Sequence, residues 1–306
     1  MNSIDTRNLT NEQWLELRKQ GIGGSDGAAV FNLNPWFTKY DLYLDKKGIG
    51  EPIQETERMQ AGKRMEPVIA QWYADREKKK IANVNRILIH PKYPFIRANV
   101  DRRIVGEKRV LECKNVDGYI FKKAEWGEEY TSNFPGYYFI QCHHYMLFPQ
   151  FKEGADLAAV VGGNSLKVYR IERDKEISEM LIEGYVKFWE ALQKDIPPDP
   201  FTMADVDKRY KNAIGESIEA TPGIKAINKK LDFYKRLYKN VDFKIDDCKM
   251  NLKNYMKDNT VLRIDGFPTH TWKNQNDSRF QISDFRNDHP EMAEKYTNTK
   301  TIRVFR

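Results

Sequence analysis

The sequence predicts a mixed α/β fold, a central mixed sheet flanked by helices, followed by a helical C-terminal excursion that returns to strands. Three observations predict it. Two runs, 95–101 (Phe-Ile-Arg-Ala-Asn-Val-Asp) and 109–114 (Arg-Val-Leu-Glu-Cys-Lys), alternate apolar and polar residues, as half-buried strands do. Segments with helix-start residues and apolar stripes lie on both sides of that pair. Beyond Pro197-Pro198-Asp199-Pro200, the residues Ile227, Leu231, Tyr234, Tyr238, Val241, Ile245, Cys248, Leu252 and Tyr255 are spaced alternately by four and three, the seam of one long helix.

In chain order, Thr10-Asn11-Glu12 opens a helix whose apolar side carries Trp14, Leu15 and Leu17. It runs into Gly21-Ile22-Gly23-Gly24-Ser25-Asp26, a turn whose Ser25 or Asp26 can cap a short segment over 27–31. Asn34-Pro35-Trp36 breaks the chain before a helix over 39–47. Residues 57–79 read as helical, with Pro67, directly after Glu66, kinking or restarting the helix. The runs 95–101 and 109–114 are close enough, through Gly106-Glu107, to pair as a hairpin. Pro135-Gly136 leads into a helix over 137–148, strands at 157–161 and 166–171, and an amphipathic helix over 177–194. The proline-rich break then separates a core, residues 1–200, from a C-terminal region, 201–306. That region holds the long helix, about 224–257, a hairpin over 261–273 turning at Gly266-Phe267-Pro268, and a last strand over 301–306. It is expected to pack on the core, or its seam on a partner helix.

Composition narrows the function. Of 306 residues, 40% are hydrophobic and 31% charged, the balance of a soluble globular chain. The net charge of +7 favours a polyanionic partner, nucleic acid above all. Cys113, Cys142 and Cys248 are scattered, with no CxxC pair, which argues against a disulfide framework, a zinc ribbon or an iron–sulfur cluster. No apolar run suits a signal peptide or a membrane span, so a cytoplasmic protein without membrane contact is expected.

The hairpin carries the chemistry. Asp101, Glu112 and Lys114 would converge on one face, where two carboxylates repel unless a cation lies between them. Mg²⁺ suits such a site because it takes hard oxygen ligands. A lysine beside it can position or deprotonate a water, or offset charge on the phosphorus centre. The spacing Asp-x10-Glu-x-Lys resembles the PD-(D/E)xK nuclease signature, with Val100 in place of its proline. A solvated hairpin with one salt bridge would show the same three residues.

Further blocks stand in order around the hairpin. Arg18-Lys19-Gln20-Gly21-Ile22-Gly23-Gly24-Ser25-Asp26, Asn34-Pro35-Trp36 and Gly62-Lys63-Arg64-Met65-Glu66-Pro67 precede it, and Tyr137 to Met146 follows. Together, over about residues 15–190, they resemble the YqaJ-type viral recombinase family, the phage lambda-type alkaline exonucleases. The tail, with Thr271-Trp272-Lys273 and Asp288-His289-Pro290-Glu291, is similar to phage members through weaker motifs.

The resemblance implies a PD-(D/E)xK, restriction-endonuclease-like core. Glu66 becomes the helix-borne acidic residue, Asp101 and Glu112 the metal-binding pair with the carbonyl of Cys113, and Lys114 the catalytic lysine. Gln141 becomes the glutamine that holds the lysine or the water. Arg18 and Ser25 form the pocket for a terminal 5′-phosphate, consistent with a Gly-Gly-Ser turn that offers N–H groups and an arginine that clamps phosphate. Asn99 stands where relatives carry a serine near that phosphate. The implied reaction is two-Mg²⁺ hydrolysis of DNA, with Mn²⁺ able to substitute. It runs 5′→3′ from double-stranded ends and leaves 3′ tails for a single-strand annealing recombinase. A homo-oligomer, a ring trimer in the family, is implied too.

Two alternatives stay open: a structure-specific or nicking endonuclease with the same metal site, and a non-catalytic DNA-binding or assembly module. Other residue-level readings carry less. The bland roles are a surface glutamate for Glu66, a helix-surface glutamine for Gln141 and a simple cap for Ser25. His143 and His144 lack zinc-spaced partners and read as structural or DNA-facing. Trp36, Trp72 and Tyr73 read as core rather than base-stacking platforms.

Overall fold

The computed structural model describes residues 3–51, 54–299 and 303–305. The chain divides into two compact units, Met1–Tyr210 and Lys211–Arg306. The elements of the first are β1 (Ser3–Asp5), α1 (Asn11–Lys19), α2 (Gly24–Val30), α3 (Lys39–Lys47), α4 (Glu57–Glu77), β2 (Ile81–Ala82), β3 (Arg86–Ile89), β4 (Arg97–Ala98), β5 (Arg102–Ile104), β6 (Arg109–Val116), α5 (Gly118–Lys123), α6 (Gly136–Tyr145), β7 (Gly154–Val161), β8 (Ser165–Glu172), α7 (Lys175–Gln193) and α8 (Met203–Arg209).

A five-stranded mixed sheet, ordered β2-β5-β6-β7-β8, forms the centre. β6 and β7 run parallel and every other neighbouring pair is antiparallel. Alternation along each strand splits the core in two. Leu111, Cys113, Ala158, Val160 and Val168 pack with Ile69, Ala70 and Tyr73 of α4. Val110, Ala155, Leu157, Tyr169 and Ile171 belong to the larger cluster with Ile140, Cys142 and Tyr145 of α6, Ala28 and Ala29 of α2, and Tyr185 of α7. The expected sheet with helices on both faces is therefore the one observed. A side chain such as Leu157, wholly buried here, contributes roughly 1.5–3 kcal/mol by leaving water.

Local signals explain most helix ends. Thr10 caps α1 in a capping box with Gln13, Thr38 caps α3 with Asp41, and Gly48 closes α3 in the left-handed region. Pro67 does not restart α4, which runs through it from Glu57 to Glu77; long-range packing of Ile69 and Tyr73 outweighs one missing hydrogen bond. The turn before α2 also differs from expectation. The helix begins at Gly24 with Gly23 as its cap residue, and the Asp26 side chain accepts the Gly23 N–H at 2.9 Å. Ser25 lies inside the first turn and caps nothing.

The larger correction concerns 95–101, which is not one strand of the hairpin. Arg97–Ala98 pair antiparallel with Leu88 and Ile89 in a separate sheet, ordered β1-β3-β4, whose strands 3–5 and 86–89 the apolar pattern left unassigned. On its other side Ile22 bridges Ile96 in parallel, with its N–H donating to the Phe95 carbonyl at 2.7 Å. The chain then crosses to the central sheet, and the hairpin partner of β6 is β5, with Arg102 opposite Leu111. Alternation reports two faces but not which strand lies alongside, and here it runs from a strand of the smaller sheet into the irregular crossing before β5.

The second unit contains α9 (Pro222–Met256), β9 (Val261–Ile264), β10 (Phe267–Thr271), α10 (Ile282–Asp288) and α11 (Pro290–Lys295). Along α9 the seam residues Ile227, Tyr234, Tyr238, Val241, Ile245 and Tyr255 are exposed, with Leu231 and Leu252 half-buried. The hairpin turns at Asp265-Gly266, both at positive φ, one residue before the expected place, because that pair adopts the left-handed geometry of a two-residue turn. Of the strand expected over 301–306, residues 301, 302 and 306 lie outside the described residues, and 303–305 are irregular.

Away from the turn regions, Asp156 of β7 is wholly buried. Tyr73 donates to it at 2.6 Å, Arg109 Nε at 3.1 Å and Arg170 Nε at 3.3 Å. Burial pushes its carboxyl up, but the Tyr73 hydrogen bond and the Arg109, Arg170 and Lys79 charges outweigh it and hold it below the usual carboxylate range. Asp156→Ala removes the buried acceptor shared by Tyr73, Arg109 and Arg170 and leaves Arg109 only the exposed carboxylate of Glu172, and it is expected to cost about 3–5 kcal/mol in urea unfolding. A loss under roughly 1 kcal/mol would mean the cluster behaves as a solvated surface network.

Candidate active site

β6 carries the centre of the site. Glu112 and Lys114 project from the face opposite Leu111 and Cys113, towards α6. Glu112 is only 2% exposed, and Gln141 Nε2 donates to its Oε1 at 2.6 Å. Lys114 Nζ reaches the same oxygen at 2.5 Å and lies 5.2 Å from the centroid of the Tyr138 ring. Burial works against the Lys114 charge, but the Glu112 and Asp101 carboxylates outweigh it and hold the ammonium above the ordinary lysine range. Glu112 Oε2 is buried with no hydrogen-bond partner.

Asp101 sits where the chain crosses between sheets, and its Oδ2 accepts the Cys113 N–H at 2.8 Å. Burial pushes its carboxyl well above the usual range, and Glu112 and Glu66 raise it further, against the pull of Lys114. Glu66 comes from α4, where Arg102 Nη1 donates to its Oε1 at 2.7 Å and to the Asp101 carbonyl at 2.6 Å. Glu66, Asp101, Glu112, Cys113, Lys114 and Gln141 all line one cleft.

Arg18 and Ser25 line that cleft as well, and Arg18 Nη2 donates to Ser25 Oγ at 3.3 Å and to Asp26 Oδ1 at 3.2 Å. The Arg18 guanidinium also stacks on Trp14, 5.1 Å from its ring centroid. The turn is joined to the carboxylates through α6. A Cβ at Gly24 would lie 2.5 Å from the Tyr145 ring, and Gln141, already on Glu112, donates to the Tyr145 hydroxyl at 2.8 Å. Glycine at position 24 is needed for this approach, which is a packing role rather than a turn role.

Sequence reasoning missed Asp26, Lys46 and Tyr145. Asp26 read as a cap, and nothing in the spacing of Lys46 ties it to residue 26. Trp36, expected in the core, is 66% exposed at the cleft against Tyr137, and Trp72 is exposed as well, whereas Tyr73 is fully buried. Asn99 also lines the cleft.

Comparison with known proteins bears on this arrangement. The pattern of the YqaJ-like viral recombinase domain matches residues 13–151. The uncharacterized protein YqaJ of Bacillus subtilis (strain 168) is 31% identical over 307 residues, spanning 97% of this chain and 94% of that one. The chain belongs to the YqaJ-like viral recombinase family. Among solved structures, the alkaline exonuclease LHK-Exo of Laribacter hongkongensis is similar with a TM-score of 0.49 and 16% identity, over 61% of this chain and 94% of its own. Its complex with dAMP gives 0.47 and 16%, over 65% and 97%.

In this YqaJ-like protein the donor set suits a hard divalent cation. Glu112 Oε2 has no partner, and burial, with Glu112 and Glu66 nearby, raises the Asp101 carboxyl, a combination that a bound cation would relieve. Among the described residues no three His, Cys, Asp or Glu side chains stand close enough to ligate one ion; Arg102 engages Glu66 and Lys114 engages Glu112. No helix among the described residues is long and apolar enough to cross a membrane.

His143 and His144 of α6 are both buried and belong to the support behind the site. His144 Nε2 lies 2.8 Å from the Arg97 carbonyl and its Nδ1 3.2 Å from the Tyr185 hydroxyl. Burial brings both imidazoles down to about 4 from the usual 6.5. Unfolding below 6.5 therefore takes up protons, so their stabilisation is complete above that pH and is lost as pH falls towards about 4. The urea midpoint is expected to be flat above neutrality and to decline across that window. His143→Phe, which removes an unpartnered Nδ1, should make the decline shallower; an unchanged slope would show that His143 takes up its proton as readily folded as unfolded.

Proposed function

We propose that the protein is a Mg²⁺-dependent DNA exonuclease that degrades one strand 5′→3′ from double-stranded ends. Supporting the reading is one observation: a single cleft holds Glu66, Asp101, Glu112 and Lys114 together with the Arg18–Ser25 pair. The first set has the chemistry of phosphodiester hydrolysis. The second suits a terminal phosphate, which an enzyme cutting internally does not need.

In this reading Glu66, Asp101 and Glu112, with the Cys113 carbonyl, hold Mg²⁺, and Mn²⁺ can substitute. The bound metal supplies Lewis acidity and an activated water at neutral pH. Gln141 fixes Glu112 through its Oε1, and Oε2, which has no partner, would be the oxygen available to the cation. Lys114, lodged between Glu112 and the Tyr138 ring, offsets the negative charge that develops on the phosphoryl oxygens. Arg18 and Ser25 bind the 5′-phosphate and so set the scissile bond against the carboxylates. The 3′ tails would pass to a single-strand annealing recombinase, and assembly as a ring trimer would keep the enzyme on its duplex.

The test is degradation of linear duplex with 5′-phosphate or 5′-hydroxyl ends, and of closed circles, in Mg²⁺. Linear 5′-phosphorylated DNA should be consumed fastest, closed circles should survive, and a chelator should stop the reaction. Glu112→Gln is expected to reduce the rate by more than about a hundredfold, beyond what loss of an outer partner of a ligand does. Arg18→Ala should remove the preference for phosphorylated ends. Cutting of closed circles would establish an endonuclease instead, and no cutting of any substrate a binding module.

A further inference from the structure

Lys46 is a fully buried lysine that the chemistry above does not use. Its side chain is 0% exposed, and its Nζ donates to Asp26 Oδ2 at 2.7 Å and to the Arg18 carbonyl at 3.0 Å. Asp26 is almost as buried, its side chain 5% exposed. Its other oxygen accepts from Arg18, and Oδ2 also takes the Gly23 N–H. Asp45, at 3.7 Å from Lys46 Nζ, is the remaining charge in contact; its carboxylate is 34% exposed and is screened by water.

This arrangement raises a question of charge. A terminal phosphate carries close to two negative charges at neutral pH, yet the arginine that would receive it already touches a buried carboxylate. Burial opposes the Asp26 charge, but the Lys46 and Arg18 cations outweigh it and hold the carboxyl below its usual range. Asp26 is thus an anion facing the cleft. Left alone with Arg18, it would cancel the guanidinium and repel an incoming phosphate.

We propose that Lys46 is a positioning residue for end recognition: as the buried counter-ion of Asp26, it leaves the charge of Arg18 free for the terminal 5′-phosphate. Asp26 in turn aims the guanidinium and ties it to the Gly23 turn. The three groups act as one unit of net single positive charge, in which only Arg18 reaches the ligand. The inference rests on the end-phosphate reading of Arg18 and Ser25 and assigns to the fold what keeps that pocket cationic.

Three proteins test it: wild type, Lys46→Met, and Asp26→Asn combined with Lys46→Met. Each is assayed for kcat and KM on linear duplexes with 5′-phosphate and 5′-hydroxyl ends, with inorganic phosphate as competitor. Lys46→Met should shrink the ratio of kcat/KM for the two ends roughly ten- to hundredfold, the worth of a charge-assisted contact. The loss should lie in KM, and inhibition by phosphate should weaken in parallel. The double variant again has net single positive charge and should recover most of the ratio, whereas a purely structural role predicts a loss at least as large as in the single variant. If Lys46→Met does not fold, the double variant decides alone: a folded double variant without end preference overturns the inference. So does a folded Lys46→Met with the wild-type ratio. A wild type indifferent to the end group removes the phosphate pocket itself, a separate result from either of these.

Discussion

The site depends on one costly placement: a carboxylate on the central strand of a sheet covered on both faces. Glu112 lies in β6 between α4 and α6 and is 2% exposed. Ionised and alone there, it would cost several kcal/mol. Lys114 and Gln141 meet one oxygen, and the other stays bare. Much of the site's architecture follows from that demand. α6 brings Gln141, β6 brings its own lysine two residues on, and the crossing before β5 brings Asp101 alongside.

Buried carboxylates elsewhere in the chain make the contrast clear. Asp156 receives Tyr73, Arg109 and Arg170, so that both oxygens are satisfied. Asp26 receives Arg18, Gly23 and Lys46, again on both oxygens. Only Glu112 among these three keeps an oxygen free. Asp156 and Asp26 are thus complete within the protein, whereas Glu112, in a cleft with two further carboxylates, is the one of the three that still lacks a partner on one oxygen.

The two halves of the cleft are mechanically linked. Gly24 lets α2 lie against Tyr145, Tyr145 accepts a hydrogen bond from Gln141, and Gln141 holds Glu112. The turn carrying Ser25 and the strand carrying the carboxylates thus share one helix as their common support.

Much of this was legible in the residues. Period-two alternation at 109–114 marked β6 and put Glu112 and Lys114 on one face, since that depends only on strand geometry. The helix start at Thr10-Asn11-Glu12 gave α1, the break at Asn34-Pro35-Trp36 placed α3 after it, and the ordered blocks around residues 18–26, 62–67 and 137–146 gave the family. What alternation could not give was the neighbour: 95–101 has the pattern of a strand, yet only Arg97–Ala98 pair as a strand, in the smaller sheet, and 99–101 are the crossing to the central one, because pairing depends on chain segments far away in sequence. The same limit hid Lys46, which lies 20 residues from Asp26, and the packing role of Gly24. By itself, then, the sequence determined the starts of α1, α3 and α4, the central strand and the identity of the residues that carry charge, because those are local properties of side chains. Which carboxylate is satisfied, which arginine is neutralised and which residue completes a site were decided only by tertiary structure, because burial and the distance between charges exist only once the chain has closed on itself.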